Sequence, residues 1–152
     1  FRTKPLMLLY HFNYGYPFLD ENLEINIPTE KITPRNELAK KYLDDWNKVL
    51  PPDENFDEMC YYHKVKKNEN GIADYSVYNK KLNIGVKVEY DGNLIDNLCQ
   101  WRMFNKGDYV LGIEPTNGLL EGYETAKKNG MLKFIKPGES FNYKFRISFF
   151  EK

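Results

Sequence analysis

Short segments in which hydrophobic and polar residues alternate recur along the chain, and this two-residue period is typical of β-strands with one buried face. The clearest segment is residues 141–149, where every odd position is aromatic or aliphatic. Residues 6–14 form a more continuous apolar run that turns polar at His11 and Asn13, which predicts a buried strand. In all, the pattern predicts strands over residues 6–14, 23–27, 31–33, 58–65, 73–78, 82–90, 98–104, 109–114 and 141–149.

Two segments change to a helical period. Leu38, Tyr42 and Trp46 predict a short helix or helical turn within residues 37–49, and residues 119–130 predict a second short helix that Gly130 is suited to end. Many short strands, frequent turns and little helix are typical of an all-β fold. We therefore predict an antiparallel β-sandwich that forms a single domain over residues 1–152.

Composition excludes several classes of function. The 22 basic and 22 acidic residues balance, which argues against a surface dedicated to nucleic acid or to an anionic membrane. No apolar run approaches the roughly 20 residues of a membrane helix, and no signal peptide is visible. Cys60 and Cys99 form neither a metal-ligand spacing nor a disulfide framework, so we expect a cytoplasmic protein. The chain opens on Phe1 rather than methionine, which suggests a piece of a longer protein.

Candidate chemistry centres on Glu114. It ends an apolar segment just before Pro115, which cannot continue a ladder of backbone hydrogen bonds, and the Asn117-Gly118 turn follows. His11 and Asn13 lie two positions apart on a predicted strand, so their side chains share a face. A histidine and a glutamate at one site can exchange protons at neutral pH, whereas a solvated glutamate and a structural histidine are the plainer alternatives.

Other polar and aromatic residues leave alternatives open. Trp101 could stack on a sugar ring or belong to the core, and Arg102 could bind hydroxyl groups or lie in solvent. Asn117 could also bind hydroxyl groups. His11, His63 and Glu114 could in principle hold a metal, but their spacing does not favour ligation over acid–base chemistry, and we expect no metal.

Four stretches, residues 9–21, 58–63, 100–103 and 107–117, occur in an order that resembles the aldose 1-epimerase (galactose mutarotase)-like superfamily, and more closely an uncharacterised branch of it. Residues 137–139 match the usual approach to the last strand. The resemblance implies a β-supersandwich of which this chain is the C-terminal portion. The absent N-terminal half of such proteins normally supplies strands and a further histidine and arginine to the pocket.

The resemblance also implies roles for single residues. His11 matches the general acid and Glu114 the general base of a reaction that opens a sugar ring and closes it as the other anomer, without metal or organic cofactor. His63 would lie in the same pocket as a substrate or proton-network partner. The pocket wall would contain Asn13, Trp101, Arg102 and Asn117.

The implied partner is a small-molecule sugar, together with the missing N-terminal half or a second copy of the chain. Gly122-Tyr123 departs from the Gly-Arg that relatives often have, and the lost guanidinium weakens any claim to an anionic sugar. Two alternatives stay open: a carbohydrate-binding protein without catalysis, and an isomerase or epimerase of another sugar derivative.

Overall fold

The computed structural model describes residues 2–152. Eleven strands and two short α-helices cover this part of the chain. The strands are β1 (Lys4–Leu6), β2 (Phe12–Gly15), β3 (Leu23–Asn26), β4 (Thr29–Pro34), β5 (Met59–Val65), β6 (Ile72–Asn79), β7 (Ile84–Asp91), β8 (Asn97–Phe104), β9 (Tyr109–Thr116), β10 (Lys133–Ile135) and β11 (Phe145–Phe150). The helices are α1 (Glu37–Lys41) and α2 (Gly122–Lys128).

Two antiparallel sheets pack against each other and enclose the main core. One has the strand order β2-β9-β8-β5-β4, and the other has the order β11-β7-β6-β3. The core contains buried residues from both sheets, including Leu98 and Ile113 from the first and Tyr75 and Val88 from the second. The third sheet contains only β1 and β10. This arrangement confirms the predicted antiparallel β-sandwich.

Side chains on the five-stranded sheet are sorted between two faces by the strand period. Leu98, Leu111 and Ile113 point into the core. The intervening residues project from the opposite face, where the register places Cys99 beside Glu114 and Trp101 beside Gly112. We refer to this second surface as the outer face of the sheet.

The predicted strand over residues 6–14 is wrong in two respects. It is split into β1 and β2, because the first part pairs with β10 and the second with β9. Its residues are half-buried or exposed rather than buried. A hydrophobic run alone does not reveal that a chain passes from one sheet to another.

The short helix or helical turn predicted within residues 37–49 is present as two successive pieces. Asn36 caps α1 by accepting a hydrogen bond of 2.8 Å from the Ala39 N–H, but α1 ends at Lys41 and a 3₁₀ turn follows at Leu43–Asp45. The Tyr42 carbonyl accepts from the Asp45 N–H of this 3₁₀ turn at 3.1 Å and also from the Tyr61 hydroxyl of the sheet at 3.1 Å.

The last strand is also shorter and less covered than its pattern predicts. β11 begins at Phe145, and Phe141 and Tyr143 precede it. It lies at the edge of its sheet with β7 as its neighbour, and Phe149 is 76% exposed. Among residues 2–152, no helix has the length and apolar character needed to cross a bilayer.

Candidate functional site

His11 and Glu114 meet on the outer face of the five-stranded sheet. Glu114 is held within β9, between β8 and β2. His11 immediately precedes β2, whose first pair places Phe12 opposite Ile113, so the next position along brings His11 beside Glu114. The imidazole Nε2 lies 2.7 Å from the carboxylate Oε1.

The two groups differ in exposure. Glu114 is 2% exposed, whereas the His11 side chain is 44% exposed. Among the described residues, none gives Glu114 Oε1 a well-aligned hydrogen bond, so its contact with His11 is a close approach of complementary groups. Burial raises the pKa of Glu114 above its ordinary value, and the neighbouring His11 opposes this increase. An under-bonded buried carboxylate of this kind is typical of a ligand or proton-transfer site.

Gly112 makes room for the pair. A Cβ at this position would lie 2.5 Å from Glu114 Oε1, 3.2 Å from His11 Cε1 and 3.3 Å from Trp101 Cε3. Any side chain at residue 112 would therefore displace the carboxylate or one of the two rings. Glycine is therefore required at residue 112 because it leaves this space to the three neighbouring side chains.

Trp101 and Asn13 share the outer face with the pair. The Trp101 ring meets the His11 ring edge-on, with 5.8 Å between centroids, and both Trp101 and Asn13 lie opposite Gly112 in the register. The indole N–H donates to Glu58 Oε2 at 3.0 Å, which fixes the ring orientation. The partly exposed ring and the exposed Asn13 amide are therefore available to a ligand above the pair.

A charged cluster that the sequence reasoning missed lies farther along this face. Arg35 Nε donates to Glu121 Oε1 at 3.1 Å, and the Tyr62 hydroxyl donates to the same carboxylate at 2.9 Å. Arg35 Nη1 also lies 3.9 Å from Glu58 Oε1. Glu58 could have been found from the strand period, because it alternates with Cys60 and Tyr62. No signal in the sequence indicated Arg35 or Glu121.

The expected placement of His63 beside the pair is wrong. His63 and Tyr61 alternate with Tyr62, so His63 lies on the core face, where it is 1% exposed. Its Nε2 lies 3.2 Å from Gln100 Oε1, and its ring contacts Trp46 edge-on. Burial lowers the pKa of His63 to about 4, although Gln100 opposes the shift, so this imidazole is neutral at pH 7.

Arg102 is also on the core face rather than in the wall of the site. It is one position from Trp101 and therefore points the opposite way. Its guanidinium donates to the Asp45 carbonyl at 3.1 Å and to the Lys48 carbonyl at 2.6 Å, and it lies over the Phe104 ring. Arg102 thus anchors the chain after α1 to the sheet.

Asn117 lies at the end of the site, but its side chain is not free to meet a ligand. It is 2% exposed, and its amide hydrogen-bonds the backbone of Leu6 and Leu8. Of the seven residues predicted for the site, the outer face brings together His11, Asn13, Trp101 and Glu114.

The outer face around the pair is partly covered, since Glu114 and Cys99 are buried whereas the His11 side chain is 44% exposed. Five surface clefts formed by residues 2–152 lie elsewhere, and His11, Trp101 and Glu114 line none of them. The shared pocket implied by the resemblance is therefore not one of these five clefts. Within the same residues, no group of three or more His, Cys, Asp or Glu side chains could hold a metal ion.

Comparison with protein families identifies a match over residues 1–149 to a family described as Domain of unknown function (DUF4432). The chain belongs to this DUF4432 family. No curated protein matches the sequence of this DUF4432 member.

The DUF4432 chain is also similar to the crystal structure of a "putative aldose 1-epimerase" from Klebsiella pneumoniae subsp. pneumoniae MGH 78578. The TM-score is 0.92 at 26% sequence identity, and the match covers 99% of this chain. The fold is therefore aldose 1-epimerase-like, as the resemblance implied. This chain spans 40% of the length of that solved chain.

Substituting Gly112 with alanine should separate His11 from Glu114 without unfolding the protein. The added Cβ would crowd the movable end of Glu114, which can shift at modest cost to the fold. We expect a crystal structure of the Gly112→Ala variant to show Nε2 and Oε1 more than about 4 Å apart, beyond ion-pair distance.

Gly15→Ala is the matched control, because the nearest atom to its added Cβ is 4.0 Å away. This control should keep the 2.7 Å contact. An unchanged contact in Gly112→Ala would show that Gly112 does not set the space at the site.

Buried His63 should make the fold sensitive to acid. Its pKa falls from 6.5 in the unfolded chain to about 4 in the folded protein, so the unfolded chain binds more protons between these values. The contribution of neutral His63 to the free energy of unfolding should be fully present above pH 6.5 and fall by about 3 kcal/mol as the pH approaches 4. Urea unfolding across this range should show a shallower loss in His63→Leu, and equal slopes in the two proteins would contradict the assignment.

Proposed function

We propose that this protein interconverts the anomers of a sugar by acid–base opening of the ring. The contact that carries the proposal is the one between His11 Nε2 and Glu114 Oε1 at 2.7 Å. The aldose 1-epimerase-like fold supports it, as does the free aromatic and amide surface above the pair. The proposed partner is a small neutral sugar, and the proposed setting is the cytoplasm.

The reaction requires two neighbouring proton-transfer groups. Glu114 would remove the proton from the anomeric hydroxyl, and the electron pair left on that oxygen would form the carbonyl as the bond from C1 to the ring oxygen breaks. His11 would give its proton to the ring oxygen. Rotation about the bond next to C1 and the reverse transfers would then close the ring as the other anomer. The anomeric and ring oxygens are bonded to the same carbon, so groups in contact with each other are near enough to serve both.

Burial suits Glu114 to the role of base. A carboxylate with a raised pKa holds a proton more tightly than an ordinary one, so its proton affinity is closer to that needed at neutral pH. The neighbouring His11 favours the ionised carboxylate and keeps it available as an acceptor.

The surroundings of the pair favour an uncharged ligand. Trp101 offers a ring face for the apolar side of a sugar, and Asn13 offers an amide for hydroxyl groups. Arg35 is the cation of the charged cluster described above. Its guanidinium is already paired with Glu121 and lies beside Glu58. A phosphate or carboxylate on the sugar would meet these carboxylates without an unpaired guanidinium to receive it.

A non-catalytic sugar-binding protein is the second candidate, and the openness of the site favours it. His11 is 44% exposed, and water at a proton-transfer site weakens electrostatic stabilisation. We propose that catalysis needs a cover over the outer face, supplied by a further segment of chain or by a second copy. Binding of a sugar without turnover, in a protein that has such a cover, would select this second candidate.

Glu114→Gln and His11→Ala should each lower the rate of anomer interconversion by about 10²–10⁴-fold, because each removes one proton-transfer group. Polarimetry with a panel of aldoses measures the rate. Glu69→Gln, at an exposed turn, is the control and should keep the wild-type rate. Near-wild-type rates in both site variants would remove the assignment.

Glu114→Gln should also leave the fold at least as stable as the wild type at pH 8. The raised pKa means that ionised Glu114 costs stability once the pH exceeds the value of the unfolded chain, and glutamine removes this cost. Urea unfolding of both proteins at pH 8 measures the difference. A clearly less stable Glu114→Gln variant would show that the carboxylate is structural.

A further inference from the structure

His11 lies between strands, and this raises the question of what fixes its ring. β1 ends at Leu6 and β2 begins at Phe12, so the intervening residues have no continuous strand ladder to hold them. A histidine in such a connection is ordinarily free to move with its backbone. His11 is nevertheless held 2.7 Å from Glu114.

Asn117 binds this connection through both ends of its side chain. Its Oδ1 accepts a hydrogen bond of 2.7 Å from the Leu8 N–H, and its Nδ2 donates one of 2.9 Å to the Leu6 carbonyl. The amide is buried, so water does not compete for either bond. Asn117 lies three positions after Glu114, just beyond the end of β9.

Further bonds continue this attachment toward His11. The Leu8 carbonyl accepts from the Asn117 N–H at 3.1 Å and from the Thr116 hydroxyl at 2.8 Å. The Tyr10 N–H then donates to the Pro115 carbonyl at 2.9 Å. The segment before β2 is thus fastened to the same stretch of chain that carries Glu114.

We propose that Asn117 is a positioning residue, whose amide fastens the Leu6–Leu8 backbone to the end of β9 and so holds the His11 imidazole against Glu114. Its catalytic value rests on the proposed acid–base function, but the positioning itself does not. Both polar atoms of the side chain are engaged with backbone, so Asn117 is not a hydroxyl-binding wall residue as the resemblance implied. The assignment explains why a buried asparagine follows the carboxylate so closely.

The test measures where the His11 ring lies. The chain has two histidines, so histidine-selective NMR gives two imidazole signals. The His11 and Trp101 ring centroids are 5.8 Å apart and should give a nuclear Overhauser cross-peak. The His63 and Trp46 centroids, 5.0 Å apart on the core face, give a second cross-peak that serves as an internal reference.

Asn117→Ala should reduce the His11–Trp101 cross-peak by at least half and leave the His63–Trp46 cross-peak unchanged. Asn79→Ala is the matched control. Asn79 is also fully buried, and its amide donates to the Phe18 carbonyl at 2.9 Å and accepts from the Lys81 N–H at 2.9 Å, but it lies in β6 of the other sheet. This control should lower the unfolding midpoint and keep both cross-peaks.

Two results would overturn the proposal: a full His11–Trp101 cross-peak in Asn117→Ala, or an equal loss of it in Asn79→Ala, which would indicate general loosening. Asn117→Asp serves if the alanine variant does not fold. This substitution puts an oxygen where Nδ2 faced the Leu6 carbonyl, so the His11–Trp101 cross-peak should still weaken. Full intensity of that cross-peak would contradict the proposal.

Anomer turnover in the same proteins adds a separate readout. If the wild type is active, Asn117→Ala should lower kcat by at least tenfold, whereas Asn79→Ala should keep it. A wild type without turnover, in a protein that has the proposed cover, would reject the proposed function, while the cross-peak comparison would still decide whether Asn117 positions His11.

Discussion

The buried carboxylate of Glu114 is the constraint to which the rest of this site responds. A carboxylate removed from water is costly unless other groups compensate it, and Glu114 has the His11 imidazole as its close polar neighbour among the described residues. The sheet holds it between two strands, and Gly112 leaves the space it occupies. Such an arrangement does little for stability, because uncharged side chains would pack there at lower cost. Buried carboxylates with few hydrogen bonds are typical of functional sites, which is why Glu114 carries the proposed function.

The same sheet uses polar residues for two separate purposes, and strand alternation keeps them apart. On the outer face, the partly exposed Trp101 and the exposed Asn13 lie beside the buried Glu114. On the core face, Gln100 and Arg102 donate to backbone carbonyls of the chain that follows α1. The Asp45 carbonyl also accepts from the Lys48 N–H at 3.0 Å, so Arg102 adds a second bond there, while Gln100 supplies a donor to the Trp46 carbonyl. A buried arginine can therefore be structural although it adjoins a site residue in sequence.

The sequence predicted the fold class well because the two-residue period depends on local spacing. It separated Tyr62 from His63 and placed His11 with Asn13. It could not show which face of the sheet would be covered, since this depends on how the two sheets pack. The resemblance placed His63 and Arg102 in the site because they lie in its matching motifs, although alternation alone already set Arg102 opposite Trp101. The division of residues 6–14 between two sheets, and the binding of Asn117 to backbone, depend on partners that are distant in sequence.

The contacts that bring His11 and Glu114 together are separate from any structure that would cover them. Every bond that brings His11 to Glu114 lies within the described residues: the pairing of β2 with β9, the space above Gly112 and the bonds from residues 115–117 to the preceding segment. These contacts leave the His11 side chain 44% exposed, although Glu114 is buried. The solved aldose 1-epimerase-like chain is longer, and this chain spans 40% of it. A site that is assembled on one sheet and covered by other structure would keep its proton-transfer geometry whether or not the cover is in place. The cover would then govern the access of water and substrate rather than the alignment of the two groups.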